Sequence, residues 1–118
     1  MKKYTKQEFF NVVWQHAKKL KKCTNNGTDH GMCVYADGRG NACFIGATLD
    51  RDDYRPTLEG KGVASLLSLG LLAIEGLDFS DTEVFMVRLQ EVHDCCPPVM
   101  WNRELRKVAD EHDLEVPV

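Results

Sequence analysis

A thiol, an imidazole and a carboxylate are the side chains of this sequence best suited to covalent chemistry. Cys43 lies in Ala42-Cys-Phe-Ile-Gly-Ala-Thr-Leu49, and His93-Asp94 falls at the end of a later helical stretch. A thiol becomes a nucleophile when its pKa is lowered, which a helix N-terminus or a neighbouring imidazolium can do. Cys43 sits where a strand is expected to turn into a short helix. His93 sits near a helix C-terminus, where the dipole favours a protonated ring. In a catalytic arrangement Cys43 is the nucleophile, His93 its base, and Asp94 or Asp81 orients the ring. Adjacent residues rarely orient one another, which weighs against Asp94. The plainer reading makes Cys43 a small core residue and His93 a cap of its own helix.

Other chemistries find less support. Cys33 and Cys43 facing each other across a hairpin, with His30 or His93, would supply tetrahedral ligands. The short paired spacing of zinc sites is missing, so no metal is expected. Asp50, Asp52 and Asp53 do not follow the spacing of a calcium loop. The glycines do not spell a phosphate cradle, and no cofactor is expected. A binding surface needs less. Tyr35, Asp37, Tyr54 and Glu59, with Arg39, Asp50 and Arg55 nearby, flank an apolar hairpin and suit a groove for a protein or small-molecule ligand.

Several elements must position these groups. Thr5-Lys-Gln-Glu8 reads as a capping box. Phe9, Phe10, Val13, Trp14, Ala17 and Leu20 then recur at three- and four-residue steps, which predicts an amphipathic helix to about residue 21. Residues 23–32 form a polar loop by composition. Cys33-Val-Tyr-Ala alternates like a strand and Asp37-Gly-Arg-Gly40 supplies a turn, so a small hairpin is expected there. Asp50 to Pro56 breaks the chain. Val63 to Leu69 reads as a short buried helix ended by Gly70, and Leu71 to Phe79 is ambiguous. Ser80-Asp-Thr-Glu83 reads as a second capping box opening a helix to about Asp94. Pro97-Pro98 stops that helix and starts a last one, with Trp101, Leu105, Val108 and His112 inward. The expected fold is α+β, mainly α, with four or five helices packed around one small β-hairpin. At 118 residues the chain is expected to be a single compact domain, 1–118.

Composition narrows the setting. Hydrophobic residues make up 43% and charged residues 28%, as in ordinary globular chains. No apolar run reaches the roughly 20 residues of a membrane span, and no apolar signal core follows the first lysines. A cytoplasmic protein is the expectation, with its five cysteines as reduced thiols. The net charge of −3 is uneven: residues 1–22 carry seven lysines against Glu8, a local +6, which leaves −9 elsewhere. An acidic bulk repels a phosphate backbone, and the basic end lacks a continuous basic face, so nucleic acid is not an expected partner. If Leu66, Leu67, Leu69, Leu71 and Leu72 were exposed together, they would mark an assembly surface. The simpler expectation places them in the core, and the oligomeric state is left open.

Taken together, the motifs Cys33-x-Tyr35, Gly40-x-x-Cys43-x-Ile45-Gly46, Asp53-Tyr54-x-Pro56-x-x-Glu59-Gly60, Leu89-Gln90-x-x-His93-Asp94 and Trp101-x-x-x-Leu105 resemble a set of small, largely uncharacterised phage and bacterial proteins. The resemblance runs from about residue 33 to Leu114. It implies that Cys33, Cys43, Glu59, Gly60, His93 and Asp94 occupy motif positions, and it implies no particular activity. By association it favours a small phage- or prophage-encoded effector that binds a host protein or small ligand. The competing expectation is a thiol-dependent hydrolase or transferase using Cys43 and His93.

Overall fold

The computed structural model describes residues 2–19, 42–49, 52, 54, 56–59 and 62–117. The chain enters through strand β1 (Lys2–Tyr4) and helix α1 (Lys6–Lys19), then makes short 3-10 turns at Gly46–Thr48 and Pro56–Leu58. Helix α2 (Val63–Ser68), strand β2 (Leu72–Ile74), helix α3 (Phe79–Cys95) and helix α4 (Pro98–Glu111) follow. The fold is α+β and mainly α.

The expected helices form for the reasons their sequences suggest. Thr5 caps α1 reciprocally: its Oγ1 accepts from the Glu8 N–H at 3.1 Å, and its own N–H donates to Glu8 Oε1 at 2.8 Å. The apolar stripe of α1 delivers Phe9, Phe10, Val13 and Trp14 into the core. Pro98 occupies the first turn of α4, where a missing N–H costs nothing. Gly70, at φ 75°, ends the α2 region in a conformation that a side chain would strain.

The start of α3 differs from expectation. Its cap is Asp78, whose Oδ1 accepts from the Asp81 N–H at 2.7 Å, so the helix begins at Phe79, ahead of the Ser80–Glu83 box. Asp is as strong an N-cap as Ser, and at position 78 its carboxylate meets an otherwise free N–H of the first turn.

The sheet differs more. The two described strands are parallel, with Lys2 opposite Leu72, Lys3 opposite Ala73 and Tyr4 opposite Ile74. β2 comes from the stretch that the sequence left ambiguous. The turn expected at Asp37–Gly40, its leading strand at Cys33–Ala36 and the 23–32 loop lie outside the described residues. After Cys43 the chain forms a turn and the Gly46–Thr48 3-10 segment, a tight version of the expected short helix.

One core joins these parts. α4 packs on α3 and α1, α2 packs on α3, and the Gly46–Thr48 turn rests on α1. Phe9, Phe10, Phe44, Ile45, Leu66, Phe85, Leu89 and Leu105 are wholly enclosed, each worth about 1.5–3 kcal/mol of apolar burial. The leucine cluster divides: Leu66 and Leu72 are buried, Leu67 and Leu71 pack partly against the core, and Leu69 is exposed. Among the described residues, no helix is long and apolar enough to cross a membrane.

Candidate functional site

Cys43 directly precedes the tight turn that leads into Gly46–Thr48. The Ala47 N–H donates to the Cys43 carbonyl at 2.9 Å, and the Gly46 N–H approaches Cys43 Sγ at 3.3 Å. Such a backbone donor stabilises a thiolate, as a helix N-terminus does. Burial opposes it and prevails. Cys43 is 1% exposed, and burial pushes its thiol up to about 12, against smaller downward pulls from the Gly46 N–H and the Gln90 side chain. The nearby Asp94 charge pushes it up further.

Helix α3 supplies the other half of the cluster. Gln90 and Asp94 are four residues apart, hence on one helical face, and Gln90 Nε2 donates to Asp94 Oδ1 at 3.0 Å. Gln90 Oε1 accepts the Ile45 N–H at 3.1 Å, tying the Cys43 turn to α3. Asp94 Oδ1 also accepts from His93 Nδ1 at 2.8 Å. A carboxylate offers no proton, so the His93 proton in this contact sits on Nδ1. Asp94 therefore does orient its neighbour, although side chains of adjacent helical residues seldom meet.

The His93 ring is fully enclosed. Trp101 stacks on it with centroids 5.5 Å apart, and Phe44 meets it edge-on at 5.1 Å. Phe44 and Trp101 also touch each other edge-on at 4.9 Å. Trp101 is held in turn by its indole N–H, which donates to the Cys96 carbonyl at 3.1 Å. The aromatic residue next to Cys43 is thus the wall of the His93 pocket.

The structure gathers Cys43, His93 and Asp94 into one neighbourhood and adds Gln90, which the sequence reading passed over as a functional group. Its signal was the four-residue spacing to Asp94. Asp81 lies in the first turn of α3, at the end of the helix opposite to His93.

Of the groove residues, Tyr54 donates its hydroxyl to Glu59 Oε2 at 2.5 Å. Burial, with the hydrogen bond and charge of Glu59, pushes the Tyr54 phenol up to about 12. Tyr35 and Asp37 lie outside the described residues, as do Cys33 and His30 of the weighed metal set. Among the described residues no group of three His, Cys, Asp or Glu side chains is placed to hold a metal ion. Cys43, Cys95 and Cys96 are free thiols, of which only Cys95 is exposed.

No protein family, curated protein or solved structure was found to match this chain.

Proposed function

We propose that this chain is a small cytoplasmic binding protein, of the phage or prophage kind its motifs resemble, acting by docking a host protein or small ligand. One observation carries the reading. The thiol best placed for covalent chemistry is buried and pushed up to about 12, so at neutral pH it is a protonated core group. With Cys43 in that state, the Gln90–Asp94–His93 network serves to fix the Cys43 turn against α3 and to hold the aromatic wall around His93.

A second reading, a thiol-dependent hydrolase or transferase, draws on the same network. His93 is oriented by Asp94, as a general base should be. That reading requires Cys43 to become exposed and deprotonated.

Alkylation against pH, read at each cysteine by mass spectrometry, separates the two. The binding reading expects Cys95 to react in the native protein and Cys43 only after unfolding. Native alkylation of Cys43 with an apparent pKa below the usual ~8.5, lost in His93→Ala, would establish the hydrolase reading instead.

A further inference from the structure

Trp14 and Trp101, the two tryptophans of the chain, line one small cavity between α1 and α4, about 100 Å³ in volume. Ala17, Pro98 and Leu105 extend its apolar wall, and Lys18 and Asn102 are its polar members. Trp14, Trp101 and Leu105 are buried while Lys18 and Asn102 are exposed, so the floor is apolar and the mouth polar.

Two features distinguish this cavity from a packing gap. Trp14 is 3% exposed, yet its indole N–H has no hydrogen-bond partner among the described residues. Buried donors without acceptors are rare, because each has given up water for nothing. The second feature is the sign of the remaining groups. Arg106 lies with its guanidinium 5.3 Å from the Trp14 ring centre, and its Nε donates to Asn102 Oδ1 at 2.8 Å. That bond engages the Asn102 oxygen and leaves its NH₂ without a partner among the described residues. No carboxylate pairs with Lys18 among the described residues. The unmatched side-chain polar groups around the cavity are donors, and two neighbours are cations.

We propose that this cavity binds a small planar aromatic carboxylate, its ring against Trp14 and Trp101 and its carboxylate toward Lys18 and Asn102. The proposal rests on the reading of the chain as a binding protein and names the ligand class. An apolar cavity of about 150 Å³ accommodates benzene. A somewhat smaller one, open on one side, takes a ring whose charged substituent projects from the mouth. Aromatic walls favour a flat ring, and the donors at the mouth select a carboxylate over a neutral group. Trp101 has its other contact on His93, so the ligand would sit one indole away from the buried imidazole.

The test is titration of benzoate into ¹⁵N-labelled protein, watching the two indole N–H resonances. The Trp14 resonance is expected to move saturably. Benzyl alcohol, the neutral counterpart, should bind roughly tenfold more weakly, and Lys18→Ala should weaken benzoate by a similar factor. Ala17→Leu should abolish binding by filling the cavity, with the rest of the spectrum retained. A Trp14 resonance unmoved by millimolar benzoate overturns the proposal. So does equal binding of benzoate and benzyl alcohol together with an unaffected Lys18→Ala variant, which is exposed and leaves the fold intact. Failure of benzoate leaves the inert Cys43 thiol, and with it the binding reading, in place. A reactive native Cys43 would remove that reading whatever benzoate does.

Discussion

His93 Nδ1 and Asp94 Oδ1 lie 2.8 Å apart although the two residues are neighbours on one helix. The contact forms because α3 ends one residue later, at Cys95. There Asp94 stays half-exposed and folds back over the buried ring, braced by Gln90 Nε2. Removing the carboxylate strips a buried imidazole of its acceptor. Asp94→Ala is expected to cost about 1–3 kcal/mol, and Asp94→Asn less because an amide oxygen still accepts. Urea unfolding of the two variants checks the order.

Phe44 touches both His93 and Trp101 and is wholly buried. Phe44→Ala should therefore destabilise by about 3–5 kcal/mol, the usual cost of an emptied aromatic site. It should also change Trp101 fluorescence in the native state, which separates loss of the wall from general loosening.

The cap of α3 offers a cleaner comparison. Asp78→Ala should lower stability by about 1 kcal/mol, whereas Ser80→Ala, at the position the sequence favoured, should be close to neutral. Equal losses in thermal melts would contradict the Asp78–Asp81 bond.

Cys43 predicts alkaline sensitivity. Its thiol is raised from 9.0 to about 12 in the folded chain. Unfolding frees a group that ionises more readily, so this contribution to stability is complete below pH 9 and is lost as pH rises through about 12. Tyr54, raised from 10.0 to about 12, acts in the same direction. Cys43→Ala should flatten the decline of stability with pH above 9, leaving the smaller slope from Tyr54.

His112 acts at the acid end. Burial first, then the Lys6 charge, hold its pKa below the ordinary 6.5. Lys6 Nζ lies 3.3 Å from its Nδ1, and Phe85 meets the ring edge-on. The native state prefers the neutral ring, so the contribution is present above about pH 6.5 and is lost as pH falls through the lowered value. Lys6→Met should move the His112 NMR titration upward and soften acid unfolding.

The helical part of this fold was legible because its signals are local. The Thr5–Glu8 box, the α1 stripe, Gly70 and Pro98 all act within one or two turns of where they stand. β1 was not legible: Lys2-Lys-Tyr4 carries no alternation, and its partner, Leu72–Ile74, is far from it in sequence. Asp78 was missed because Ser80 and Glu83 match the more familiar capping pattern. The candidate cluster was half legible. Cys43, His93 and Asp94 announce themselves by residue type, whereas a glutamine bridge or an orphan indole N–H becomes visible only when two distant elements are placed together.

The parallel seam between β1 and β2 has a consequence for synthesis. Its last bond joins the Glu75 N–H to the Tyr4 carbonyl at 2.7 Å. Closing so distant a contact is entropically slow compared with forming the helices. β1 therefore stays without this partner until the segment carrying β2 has been made and has reached it. The Tyr4 hydroxyl also donates to the Thr48 carbonyl at 2.7 Å, a contact with a partner that lies nearer in sequence than β2. The edge of the earlier strand is thus completed by a segment that leaves the ribosome well after it.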